Sequence, residues 1–164
     1  MTVEFHRPVP IGQIRGEPIQ IDIEATEAEC RALAMRMDVP AIRSLRCSFK
    51  LSRESNSVVR AEGRLHADLV QTCIVSLDDF GTEIAESFAV RFVPSGEESD
   101  DIDPDMDDEV PYSDGVLDLG EAAAEQLGLA IDPYPRMPGA ELPDIEDDGA
   151  SGPFAALGRL RRSN

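Results

Sequence analysis

Four cations, Arg46, Lys50, Arg60 and Arg64, sit in two stretches of alternating sequence. In residues 45–51, Leu45, Cys47, Phe49 and Leu51 alternate with Arg46, Ser48 and Lys50. In residues 59–69, Val59, Ala61, Leu65, Ala67 and Leu69 share one face, and Arg60, Glu62, Arg64, His66 and Asp68 the other. A period of two sends successive side chains to opposite sides of a strand. If the two strands pair, the four cations share a solvent face, where guanidinium forks suit phosphate or carboxylate oxygens. Arg43 and Arg53 flank them, so the candidate RNA-contacting set is Arg43, Arg46, Lys50, Arg53, Arg60 and Arg64. Each phosphate neutralised there would release counterions and make binding salt-dependent. Aromatic stacking residues are missing from that face, so contact would be to backbone and shape rather than to stacked bases. The competing reading is a sheet surface kept in water by mixed charge.

Other chemistries fit less well. Asp101, Asp103 and Asp105 carry the first spacings of a calcium loop. Met106 then stands where the sharp turn needs Gly, and Tyr112 where a bidentate Glu is needed. Cys30, Cys47 and Cys73 are far apart and form no C-x-x-C pair, so burial as small hydrophobes is expected and no metal site is assigned. His6 and His66 are the only histidines. There is no nucleophile elbow, phosphate loop, dinucleotide fingerprint or H-E-x-x-H. The reading is therefore no enzyme, no catalytic residue and no cofactor.

The elements that must position the cations can be read from the same patterns. Ile19, Ile21 and Ile23 alternate with Gln20, Asp22 and Glu24, which predicts a half-buried strand. Thr26 to Glu29 reads as a capping box, followed at helical spacing by Cys30, Leu33, Ala34 and Met37 and closed by Pro40. Glu27 and Arg31 are one turn apart and can pair. Gly63 interrupts its strand and suggests a bulge. Ile84, Phe88, Val90 and Phe92 predict a further strand with Ser87 and Arg91 outward. Asp118 reads as the cap of a second helix carrying Leu119, Ala122, Ala123, Gln126, Leu127 and Ala130. Three prolines within 132–139 exclude regular structure there. Phe154 to Arg162 could form a short amphipathic helix, too short to be stable without a surface or a partner.

Charge divides the chain. It has 164 residues and a net charge of −18, with acids outnumbering bases by 33 to 15. Residues 1–93 hold 14 acids and 11 bases, whereas residues 94–164 hold 19 acids and 4 bases, so the excess is C-terminal. Residues 31–64 are locally +5, with eight bases against three acids. Residues 95–115 contain ten acids and no base, and such a self-repelling run reads as a mobile surface loop. The overall acidity excludes a uniformly basic nucleic-acid coat, and no DNA partner is expected. No apolar run approaches a membrane span, and residues 1–10 lack a signal-like stretch, which together predict a cytoplasmic protein without a membrane partner. Consecutive strands with short turns favour an α+β fold: an antiparallel β-sheet that could approach a barrel, two main helices, a long acidic loop and a flexible C-terminal tail. The expected organisation is one α+β domain over 1–139, with the acidic loop at 95–115. An acidic linker and a short amphipathic segment would fill 140–164.

Two stretches carry a resemblance. One runs from Gly63 through Val70-Gln71-Thr72-Cys73 to Asp78, then Phe88 to Phe92. The other is Leu117 to Glu121, then Glu125-Gln126-Leu127-Gly128 through Asp132-Pro133-Tyr134-Pro135-Arg136, with Pro153 to Leu157 at the end. In this order and spacing they resemble the YceD family of bacteria and plastids, in its alphaproteobacterial form, over roughly residues 15–162. The resemblance implies a role in accumulation of the large-subunit (23S) ribosomal RNA and so in ribosome assembly. Pre-ribosomal RNA or ribosomal proteins would be the partners. It marks Gln71, Cys73, Leu119, Gln126, Leu127, Pro133, Pro135 and Arg136 as family-motif positions and carries over no catalytic residue. Many members have C-x-x-C where this chain has Val70 to Cys73, and further cysteines after the proline-rich segment where this chain has none, so a metal site is not carried over. Two functions compete. One is a non-enzymatic assembly factor with an RNA-facing sheet; the other is a protein adaptor whose acidic loop holds a basic client without touching RNA.

Overall fold

A computed structural model describes residues 3–101 and 103–142. The expected amphipathic segment and most of the acidic linker before it lie outside the described residues. The element order is β1 (Pro8–Pro10), a single 3-10 turn (Ile11–Gln13), β2 (Ile19–Glu24), α1 (Glu27–Met37), β3 (Ala41–Arg53), β4 (Val59–Thr72), β5 (Asp79–Pro94), β6 (Asp108–Tyr112), β7 (Val116–Asp118) and α2 (Leu119–Ala130). A five-stranded sheet has the order β2-β3-β4-β5-β6, and β1 and β7 form a separate antiparallel pair. The fold is α+β. The sheet stays open, with β2 and β6 at its edges, and no closed barrel forms among the described residues.

Local sequence explains the elements. Alternation makes β3 and β4 long, and their register puts Leu45, Cys47, Phe49 and Leu51 opposite Ala67, Leu65, Gly63 and Ala61. These residues face the core, and fully burying one leucine contributes about 1.5–3 kcal/mol. At α1 the capping box is complete: Thr26 Oγ1 accepts from the Glu29 amide at 3.3 Å, and Glu29 accepts from the Thr26 amide at 2.7 Å. Arg31 pairs with Glu27 at 2.7 Å. Asp118 caps α2 by accepting from the Gly120 and Glu121 amides at 3.1 and 3.2 Å. α2 buries Leu119, Ala123 and Leu127 in the core. At Gly120 the backbone of Phe5 comes so close that a Cβ has no room. That contact seats the N-terminal segment, and Phe5 is fully buried.

Three expectations change. Gly63 is not a bulge, because the register runs unbroken through it on both sides. Its missing Cβ is replaced by the ring of Phe88, which reaches across from β5 to meet Phe49 edge to face, centroids 5.7 Å apart. The register shift lies instead between Ile42 and Ser44, leaving Arg43 as the extra residue. The sheet is not wholly antiparallel either, since β6 runs parallel to β5. β6 is drawn from the stretch read as an acidic loop, so residues 95–115 are not a loop throughout. Val110 and Tyr112 pack against the core, and Tyr112 donates its hydroxyl to the Ser57 carbonyl at 2.5 Å. That apolar contact outweighs the self-repulsion of the flanking carboxylates. No helix among the described residues is long and apolar enough to cross a membrane.

Candidate functional site

The register fixes the outer face of the sheet. Across it run the rows Glu24–Arg46–His66–Ala85, Asp22–Ser48–Arg64–Ser87, Gln20–Lys50–Glu62–Ala89 and Ser52–Arg60–Arg91–Glu109. Arg46, Lys50, Arg60 and Arg64 therefore share one side. Two adjoining open depressions, of about 690 and 450 Å³, meet there at Ser48, Arg64 and Ser87.

The six sequence candidates nevertheless divide sharply. Arg60 is clasped: its Nε lies 2.7 Å from Asp107 and its Nη1 2.5 Å from Glu62. These hydrogen bonds, Asp107 first, hold its guanidinium above the ordinary arginine range. Arg43 lies 3.6 Å from Asp68, and Lys50 3.9 Å from Glu62. Arg53 serves the fold, donating to the carbonyls of Ile11, Ile14, Ser55 and Asn56 at 2.6–3.1 Å. Arg46 and Arg64 are exposed, and neither has a carboxylate within 4.0 Å among the described residues. They are diagonal neighbours on adjacent strands, a relation that sets side chains about 7–8 Å apart. The face is thus mixed rather than cationic, because Asp22, Glu24, Glu62, Asp68 and Glu83 share it and Asp107 returns to it. Its unpaired positive charge is concentrated in two arginines. Beside them, His66 Nδ1 is buried with no partner among the described residues.

The family-motif positions form a second cluster. Gln71, only 5% exposed, donates through Nε2 to the Asp132 carbonyl at 3.0 Å. The Ile74 amide donates to the Pro135 carbonyl at 2.9 Å. Cys73 Sγ accepts from the amides of Met137 at 3.3 Å and Ser76 at 3.5 Å. The Ser76 side chain and these amides stabilise a thiolate, lowering Cys73 to about 7. Cys47 behaves oppositely, since burial raises it to about 12. Burial also pushes Cys30 up. The end of β4 and the proline-rich segment are therefore latched together, with Cys73 as a buried acceptor. Leu119 and Leu127 belong to the core, whereas Gln126 is half-buried and Pro133 and Arg136 are exposed.

Sequence reasoning missed Asp107 and Glu109. Glu109 lies 3.1 Å from Arg91, whose Nε lies 2.9 Å from Glu54. The available signal was the alternation of Asp107, Glu109 and Pro111 with Asp108, Val110 and Tyr112, hidden by the acidity of its surroundings. Arg7 was missed as well. It grips Glu29 through both guanidinium nitrogens at 2.8 and 2.9 Å and lies 4.6 Å from the Phe5 ring centroid.

An open mixed sheet, two exposed arginines with no carboxylate within 4.0 Å among the described residues and a latched proline-rich segment characterise this small α+β protein. The family model described as large ribosomal RNA subunit accumulation protein YceD matches residues 61–160, and the chain belongs to that family. That match takes in Arg64, the Cys73 latch and α2. No curated protein and no solved structure matches the chain.

Proposed function

We propose that the chain is a non-enzymatic factor in accumulation of the 23S ribosomal RNA and in large-subunit assembly, and that it holds pre-ribosomal RNA by its phosphate backbone. Family membership supports the ribosomal role. The observation that carries the RNA contact is the pair Arg46 and Arg64, exposed on neighbouring strands with no carboxylate within 4.0 Å among the described residues and bordered by Ser48 and Ser87. Charge-assisted, bidentate bonds to phosphate are the strongest interactions such a surface can make. The two aromatics that line the depression, Phe49 and Phe88, are packed into the core, Phe49 fully buried, so recognition follows backbone and shape.

Filter binding of large-subunit precursor RNA across salt concentrations tests this. Replacing Arg46 and Arg64 by alanine reduces the magnitude of the salt slope by about 2, roughly 1 per lost phosphate contact. Replacing Arg53 leaves the slope unchanged in protein that remains folded. An unaltered slope in the double variant removes the RNA face from the proposal.

The second reading is the adaptor. Glu97, Glu98, Asp100, Asp101, Asp103 and Asp105 are all exposed, and a basic client could be held there without RNA. Neutralising these six to Asn or Gln then abolishes capture of a basic ribosomal protein. Under the RNA reading it leaves RNA affinity undiminished.

A further inference from the structure

The turn between β4 and β5 and the proline-rich segment latched to it present an apolar patch that nothing among the described residues covers. Leu77 is 76% exposed, Tyr134 71% and Ile74 44%. The Ile74 amide bonds the Pro135 carbonyl, which brings these two segments side by side. Leu77 is also held at a φ of 62°, a left-handed conformation that costs a leucine roughly 1–2 kcal/mol. In that conformation a large apolar side chain stays mostly in solvent just after the turn. Asp78, Asp79 and Asp132 are exposed beside the patch, against one exposed cation, Arg136.

We infer that residues 153–162 of the same chain dock on this patch. Phe154, Leu157 and Leu160 recur every third residue, and Arg159, Arg161 and Arg162 supply positive charge, with no acid after Asp148. Apolar stripe and basic residues match the apolar patch and its acidic rim. The position of the chain agrees. The Met137 amide bonds Cys73 Sγ, so the backbone leaves the described region only five residues beyond the patch. From Leu142 to Phe154 an extended chain can span up to about 40 Å. A short tether sets an effective concentration near the millimolar range, which compensates for the weak intrinsic affinity of so short a segment.

Amide hydrogen exchange on the full chain tests the inference. Leu157→Glu speeds exchange at 74–78 and 132–137 several-fold while protection across β3 and β4 is unchanged. The reciprocal change, Leu77→Asp, speeds exchange at 154–160. Met35→Glu, at an exposed apolar residue on α1, alters neither region. Identical exchange at 74–78 in the Leu157→Glu variant and the parent overturns the docking. Protection that disappears on dilution, together with a dimer in sedimentation, overturns it in favour of a second copy of the chain.

Discussion

The outer face of the sheet carries similar residues at its two sides with opposite consequences. Toward β6, Arg60 and Arg91 each meet two carboxylates at 2.5–3.1 Å. In the middle of the sheet, Arg46 and Arg64 have none within 4.0 Å among the described residues. All four project to one side of a regular ladder, so strand alternation does not distinguish them. What distinguishes them is in part β6, which carries Glu109 and brings Asp107 beside it; Glu62 on β4 and Glu54 in the β3–β4 turn supply the other two carboxylates. The acidic stretch thereby neutralises one flank and leaves the centre untouched. A cation count over residues 31–64 therefore overstates the usable charge. Net charge is a property of the sequence, whereas a free guanidinium depends on which strand is its neighbour.

The largest expected effect comes from removing the support common to both regions. Gly63 lies under the centre of the face, and its Cβ position is occupied by the Phe88 ring packed on Phe49. Gly63→Ala must displace that ring, and overpacking of this kind costs about 1–3 kcal/mol. Chemical denaturation should show a lower midpoint with an unchanged slope, and RNA affinity should fall together with stability. A variant as stable as the parent would mean that the face does not depend on this crossing.

A smaller, more discriminating effect follows from loosening the clasped flank. Asp107→Asn removes the first of the two carboxylates on Arg60 and one negative charge from the rim. If the clasp is what withholds Arg60 from phosphate, the salt slope for precursor RNA steepens by up to about 1. An unchanged slope, alongside the loss expected for the Arg46 and Arg64 double variant, would show that position on the face rather than pairing sets the difference.

This contrast also marks what could be read from the sequence. The capping box at Thr26 and Glu29, the cap at Asp118 and the shared face of Arg46, Lys50, Arg60 and Arg64 are consequences of local periodicity, and all were legible. Glu62 beside Arg60 was legible too, but Asp107 on Arg60 and the two partners of Arg91 were not. Asp107 lies 47 residues from Arg60 in the chain, and its approach depends on a short parallel strand embedded in an acidic run. Strands as short as β1 and β7, three residues each, carry no periodicity of their own and form only because they pair. Gly63 was misread because its empty position looks like a defect from within one strand, and the ring filling it comes from another. The latch at Cys73 was marked only as a family pattern, since one of the two amides that hold the thiol, that of Met137, lies 64 residues from it in the chain.

The smallest effect separates an arginine that serves the fold from the two that do not. Arg7 holds Glu29 through two bonds, and chiefly that hydrogen bonding lowers the Glu29 carboxyl to about 2. A carboxyl depressed in the folded state stabilises fully above its ordinary value near 4.5, and the contribution is lost as pH falls through about 2. Glu29→Gln keeps a side chain able to complete the capping box but removes the ion pair. At pH 7 the variant should be less stable by about 1 kcal/mol, the upper range for a pair of this exposure. The gap should be constant from pH 8 to 6 and close as the parent is acidified below about 4. RNA affinity at pH 7 should be unchanged, because Arg7 caps the edge of the fold beside Glu24 rather than the groove. A gap that persists at pH 2 would assign the loss to packing or capping. A fall in RNA affinity without a fall in stability would place Arg7 with Arg46 and Arg64.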